Sequence, residues 1–170
     1  DYSNIKAAKS MALYSRAAAV IAKKAGVSGM VGGQSLDVYL TDKPMNAQQL
    51  DYIFRLKTGA LIEAAFMAGG ILAGCDDETL ELLRKAGYNV GFAFQIKDDI
   101  LDVTSTQEIL GKPVLSDERN NKTTYVTLYG LEKSQKDTYD MSKEALDIVR
   151  AIGHNEYLEE LIDMLIHRNK

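Results

Sequence analysis

The chain has few of the residues that cross-link small proteins or interrupt helices. Its 170 residues contain one cysteine, Cys75, and two prolines. A single cysteine excludes an internal disulfide framework and is typical of a reducing compartment, so we expect a cytoplasmic protein. The scarcity of proline leaves long stretches of the chain free to form uninterrupted helices.

A basic surface and a long apolar run are also missing. The net charge is −4, which argues against a nucleic-acid partner because no basic stripe is available to neutralise phosphates. The longest apolar run, from Ala64 to Cys75, contains Gly69 and Gly70 and is too short to span a bilayer, so we expect no membrane span. No signal peptide is visible, and the chain lacks an initiator methionine, which favours a truncated piece of a longer protein.

Strict alternation of polar and apolar residues over the length of a strand is hard to find. Apolar residues instead recur at helical spacing along nearly the whole chain, as in Leu80, Leu83 and Ala86. The pattern predicts an all-α fold in a single domain. A polar pair followed by Gly59 predicts a break between two helices, because glycine weakens a helix.

Three carboxyl groups lie inside an otherwise apolar helical stretch. Asp98 and Asp102 share a helix face about 6 Å apart along the axis, with Asp99 beside them and Gln95 one turn back. Unpaired like charges at this spacing repel, whereas carboxylate oxygens clustered on a rigid face suit a Mg²⁺ ion that also holds a phosphate. Spacing alone leaves two interpretations open, a magnesium site or a solvated acidic face. The equally acidic Asp76–Glu78 precedes an amphipathic run and is predicted to cap a helix.

Several polar residues could accompany a metal site. Lys57 lies at the predicted break, while Lys112 and Lys122 bracket a long polar link after the aspartates. A lysine ammonium is a point charge suited to diphosphate oxygens. Each lysine by itself is typical of a solvated surface, but together with an acidic metal site they favour a metal-bridged phosphorylated ligand. Gln34 and Asp37, one helical turn apart, are candidates for supporting polar groups.

These motifs together resemble the trans-type isoprenyl diphosphate synthases. The resemblance covers essentially the whole chain and is closest to bacterial short-chain members of the farnesyl and geranylgeranyl diphosphate synthase type. The matching segments follow the order expected of the family, and they are Gly32-Gly33-Gln34 with Asp37, Lys57-Thr58-Gly59, Phe94 to Asp102, Leu110-Gly111-Lys112-Pro113, Ser116-Asp117, Asn121 to Tyr125, and Arg168-Asn169-Lys170.

The resemblance implies the helical bundle of the isoprenoid synthases, a homodimer, and Mg²⁺ as cofactor. The implied reaction condenses isopentenyl diphosphate with an allylic diphosphate such as dimethylallyl, geranyl or farnesyl diphosphate, whose ionisation the metal assists. The residues it assigns to magnesium are Asp98, Asp99 and Asp102. The residues it assigns to catalysis are Lys57, Thr58 and Gln95. The residues it assigns to substrate binding are those same three together with Lys112, Lys122, Gln34 and Asp37.

The resemblance also implies that part of the domain is absent. The family's first aspartate-rich motif precedes the motifs found here, so residues 1–170 are expected to be the C-terminal part of a single polyprenyl synthetase domain and to be inactive alone. Two other functions stay open, a non-catalytic partner subunit of a prenyl synthase and a class I terpene cyclase. The intact aspartates and lysines argue against the first, and an aspartate motif in place of an Asn/Ser/Glu pattern argues against the second.

Overall fold

The all-α fold predicted from the sequence is confirmed. The computed structural model describes residues 2–104 and 123–168, and these residues form helices without a β-strand. In chain order the elements are α1 (Tyr2–Ala25), α2 (Met30–Tyr39), α3 (Ala47–Ile53), a π-helical segment (Phe54–Gly59), α4 (Ala60–Ala73), α5 (Asp77–Thr104), α6 (Tyr125–Tyr129), α7 (Leu131–Ile152) and α8 (Glu156–His167).

Side-chain caps fix where two of the helices begin. The Asn46 side chain accepts the backbone N–H of Gln49 at 2.9 Å, and the Gln49 side chain accepts the backbone N–H of Asn46 at 3.0 Å. At the start of α5 the Asp76 carboxylate accepts the backbone N–H of Thr79 at 2.8 Å. These three contacts satisfy backbone donors that have no partner inside the helix. Asp76 therefore caps α5 as predicted, and Asp77 and Glu78 lie in the first turn of that helix.

The prediction of a helix break before Gly59 is wrong. Residues 54–59 form a π-helical segment that joins α3 to α4 without interruption. The absence of a side chain at Gly91 of α5 lets the two helices pack closely, because a Cβ on Gly91 would lie 2.6 Å from the Gly59 Cα. A π-helical turn widens the helix locally and is common at functional sites. The polar pair Lys57-Thr58 thus lies on a continuous helical wall.

The joined helix is longer than the apolar run from Ala64 to Cys75 that was considered in the sequence. From Ala47 to Ala73 it spans 27 residues, an 18-residue stretch of it has a mean hydropathy of 1.4, and by length and composition it could cross a membrane. Core helices of soluble proteins can have the same length and the same apolar composition. Glu63 in this helix is 3% exposed and pairs with Lys24 of α1, and a buried charge of this kind needs its partner. The absence of a membrane span stays a prediction.

Helix α5 is the centre of the fold and contacts α4, the π segment, α6, α7 and α8. Three apolar clusters are spaced along it. Leu80 packs with α1 and α4, Val90 packs with α7 and α8, and Ile96 packs with α3, the π segment and Tyr125. Packing on several sides holds the second half of α5 in place, and this half carries the aspartates.

Candidate functional site

A cavity of about 320 Å³ lies between α2, the π segment and the second half of α5. Its polar lining comes from separate parts of the chain that the sequence analysis had singled out. Six of the predicted site residues line it, and they are Asp37, Lys57, Thr58, Gln95, Asp98 and Asp99. Convergence of these side chains on one pocket makes it the candidate site.

Four other predicted residues have a different status. Asp102 is 2% exposed and, like the partly buried Gln34, is not among the residues that line the cavity. Lys112 and Lys122 lie outside the described residues. The two ends of the predicted aspartate motif therefore differ, since the Asp98 side chain is 47% exposed at the pocket.

Lys57 and Asp37 form one wall of the pocket. The Lys57 ammonium donates to the Asp37 carboxylate at 2.6 Å, and both side chains are partly exposed. Helix α2 and the π segment approach closely because Gly33 of α2 has no side chain. A Cβ on Gly33 would lie 2.4 Å from the Lys57 backbone nitrogen. Tight packing at Gly33 thus fixes Lys57 against α2, and an anionic ligand would share the ammonium with Asp37.

Arg168 reaches the opposite wall and was given no role by sequence reasoning. Its guanidinium donates to the Asp98 carboxylate and, at 3.2 Å, to the backbone carbonyl oxygen of Phe94. The same group lies over the Phe94 ring, 3.9 Å from the centroid. Burial and the positive charge of Arg168 together lower the pKa of Lys97. The pairing joins positions 70 residues apart, and no local pattern reports such a contact.

Asp99 has a different environment from Asp98. It is 8% exposed, and its carboxylate accepts the backbone N–H of Tyr125 at 2.6 Å. The nearby Thr123 hydroxyl lines the pocket and accepts the backbone N–H of Met45 at 3.0 Å. These contacts attach the start of α6 to the pocket, and the sequence contained no signal for them.

The charge of the lining favours a cation. Among the described lining residues, three aspartates face one lysine, so a diphosphate would meet an excess of negative charge without added cations. In residues 2–104 and 123–168 no group of three or more His, Cys, Asp or Glu side chains is arranged to hold a metal ion. Mg²⁺ is commonly bound through one or two carboxylates with water and substrate phosphates, and the exposed Asp98 carboxylate fits that mode.

Comparison with known proteins finds similarity to polyprenyl synthetases along nearly the whole chain. The family model described as polyprenyl synthetase matches residues 1–165. A farnesyl diphosphate synthase from Micrococcus luteus is 41% identical over 152 residues, which cover 89% of this chain and 52% of the relative. A geranylgeranyl diphosphate synthase from Cyanophora paradoxa is 35% identical over 153 residues, which cover 89% of this chain and 51% of the relative.

Solved structures extend the likeness to the fold. A geranyltransferase from Helicobacter pylori, crystallised with magnesium and isoprenyl diphosphate, matches with a TM-score of 0.72 at 31% identity. The match covers 91% of this chain and 51% of that protein. The chain thus spans about half the length of the relatives it matches.

Proposed function

Because the chain belongs to the polyprenyl synthetase family, we propose that it forms the C-terminal part of a short-chain prenyl diphosphate synthase. The family expected from the motifs is confirmed by the match over residues 1–165. The observation that carries the proposal is the pocket on which Lys57, Gln95 and Asp98 converge. The farnesyl and geranylgeranyl diphosphate synthases among the relatives support a short-chain product.

The reaction proposed is a prenyl transfer. The carbon–oxygen bond of an allylic diphosphate breaks and diphosphate leaves with the electron pair. The double bond of isopentenyl diphosphate then attacks the allylic cation, and loss of a proton completes the new prenyl chain. Breaking the first bond requires that the charge developing on the diphosphate be neutralised.

The residues of the pocket suit that requirement. Lys57 supplies a positive charge for the diphosphate oxygens. Gln95 and the Thr58 hydroxyl present neutral dipoles toward the developing cation, and neutral oxygens stabilise a carbocation without trapping it as strong nucleophiles would. Lys112 and Lys122 are proposed to contact the same diphosphate, while Gln34 and Asp37 support the site from α2.

We propose Mg²⁺ as the cofactor. The crystallised Helicobacter pylori relative contains magnesium, and the lining of the pocket here is rich in carboxyl oxygen. Bound Mg²⁺ stabilises the leaving diphosphate by neutralising its charge. Asp98 is the member of the motif best exposed to hold the ion, Asp102 is proposed as a direct or water-mediated ligand, and Asp99 supports them.

Two further predictions accompany the proposal. A homodimer is expected from the family, and a cytoplasmic location is expected from the single cysteine, Cys75. Both stay predictions. Isopentenyl diphosphate and an allylic diphosphate are the proposed substrates.

The proposal is tested with the full-length gene product that contains these residues. We expect labelled isopentenyl diphosphate, mixed with dimethylallyl, geranyl or farnesyl diphosphate and Mg²⁺, to be incorporated into farnesyl or geranylgeranyl diphosphate. The 170-residue chain alone is expected to give no product, because the family's first aspartate-rich motif is absent from it.

Each contrary outcome has a different meaning. No incorporation by the full-length protein, with activity appearing only when another synthase is added, would indicate a non-catalytic partner subunit. Release of a hydrocarbon from the allylic diphosphate without incorporation of label would indicate a terpene cyclase. Product from the 170-residue chain would contradict the view that it contains only part of the metal site.

A further inference from the structure

Asp99 accepts a hydrogen bond from a backbone N–H at the start of α6. Its carboxylate accepts the N–H of Tyr125, 26 residues away, at 2.6 Å. Tyr125 is the first residue of α6, and an N–H in the first turn of a helix has no acceptor within the helix. Both residues are at most 8% exposed. A buried donor of this kind is costly to leave unpaired, so Asp99 fixes the position of Tyr125.

The side chain of Tyr125 connects its backbone to the π segment. Its ring stacks on Phe54, with centroids 6.3 Å apart and ring planes 22° from parallel. Its hydroxyl donates to the Asp137 carboxylate of α7 at 2.7 Å. Burial and the Asp137 charge raise the pKa of the Tyr125 phenol, so the phenol stays protonated and keeps donating. Tyr125 is thereby held at its backbone by α5 and at its hydroxyl by α7.

The π segment is also the wall that carries the lysine of the pocket. Phe54 is its first residue, and Lys57 and Thr58 follow within the same turn. Thr123, two residues before Tyr125, lines the pocket, and its hydroxyl accepts a hydrogen bond from the Met45 backbone N–H. A shift of Tyr125 would therefore move both Thr123 and the ring that supports the π segment.

We propose that Asp99 is a positioning residue, which fixes Tyr125 and through it the wall that carries Lys57, and that Asp99 is not a ligand of Mg²⁺. The proposal rests on the proposed function of the pocket. The role requires an oxygen acceptor at the Asp99 position. An asparagine oxygen can accept the same N–H, whereas a leucine of similar size cannot.

The test compares Asp99→Asn and Asp99→Leu with the wild-type full-length protein. In the metal-free protein, Asp99→Leu is expected to lower the hydrogen-exchange protection of the Tyr125 amide by about tenfold or more, whereas Asp99→Asn keeps it. With Mg²⁺ present, Asp99→Leu is expected to raise the KM for the allylic diphosphate by about tenfold, because the Lys57 wall is displaced. The half-saturating Mg²⁺ concentration is expected to stay within about twofold in Asp99→Asn.

The matched control is Asp98→Asn, which changes the neighbouring carboxylate. It is expected to raise the half-saturating Mg²⁺ concentration by about tenfold or more and to leave the Tyr125 amide protected. If Asp99→Asn raised the Mg²⁺ requirement as Asp98→Asn does while Tyr125 stayed protected, Asp99 would be a ligand and the proposal would be overturned. Unchanged protection in Asp99→Leu would overturn it as well.

The two possible failures remain separable. If the wild-type protein showed no transferase activity, the proposed function would fail, but the exchange of the Tyr125 amide would still decide the positioning role. If Asp99→Leu did not fold, Asp99→Asn alone would decide. Retained protection with an unchanged Mg²⁺ requirement supports the proposal, and an increased requirement overturns it.

Discussion

Replacing Asp98 with alanine in the full-length protein is expected to lower turnover by about a thousandfold or more, because a metal that neutralises a leaving diphosphate supplies several kcal/mol. The Asp98 side chain is 47% exposed at the pocket, and the proposed Mg²⁺ site depends on its oxygens. The measurement is kcat at saturating Mg²⁺ and substrates, together with a far-ultraviolet circular dichroism spectrum.

The matched control is Asp77→Ala at the other end of α5. Asp77 is also acidic and exposed, and it pairs with Arg16 at 2.6 Å, but it lies outside the pocket. Its removal is expected to leave kcat within about twofold, since exposed ion pairs contribute little to stability. Normal turnover in Asp98→Ala would show that the metal site is assigned to the wrong residue.

The structure also changes what the Asp98 substitution should do to stability. Considered in the sequence alone, Asp98 is a carboxylate repelled by its neighbours, so its loss would favour the metal-free fold. In the structure its carboxylate accepts from Arg168. Because Asp98 is half-exposed, we expect a loss of about 1 kcal/mol or less in the free energy of unfolding.

Replacing Lys57 with methionine has the second large expected effect. The change keeps a similar apolar stem but removes the only cation among the described lining residues of the pocket. It also leaves the Asp37 carboxylate, now without its 2.6 Å partner, facing the diphosphate. We expect kcat/KM for the allylic diphosphate to fall by about a hundredfold to a thousandfold. Steady-state kinetics with the allylic diphosphate varied is the measurement.

A lysine outside the pocket provides the comparison for Lys57. Lys136 is 72% exposed and pairs with Asp140 one turn along α7. Lys136→Met removes the same charge from the protein and is expected to leave kcat/KM within about twofold. An equal loss in the two variants would mean that net charge, and not the position of Lys57, controls the reaction.

Much of the local structure could be predicted because its causes are local. The Asn46 and Asp76 caps follow from a polar side chain before an apolar period, and both form in the structure. The π segment could not be predicted, because Lys57-Thr58-Gly59 has the composition of a helix break. Packing decides the outcome there, since Gly91 lies against Gly59 and the helix continues.

The candidate site shows the same division between local and distant causes. The motifs identified the pocket residues Lys57, Gln95 and Asp98, because their types and order reflect the chemistry. The environments of Asp98 and Asp99 could not be predicted, although the two residues are adjacent. Asp99 faces Tyr125 and Asp98 faces Arg168, and contacts between distant parts of a chain leave no periodic signal in it.

The most direct test of the account is the position of a metal ion in a crystal of the full-length protein. Mn²⁺ can replace Mg²⁺ at oxygen ligands, and its anomalous signal locates it when a thio-analogue of the allylic diphosphate is also bound. We expect the peak at about 2.0–2.2 Å from an Asp98 carboxylate oxygen, with Lys57 contacting the diphosphate and Arg168 displaced from Asp98. A metal ion bound away from Asp98, with the Arg168 guanidinium still paired with the Asp98 carboxylate, would contradict the account.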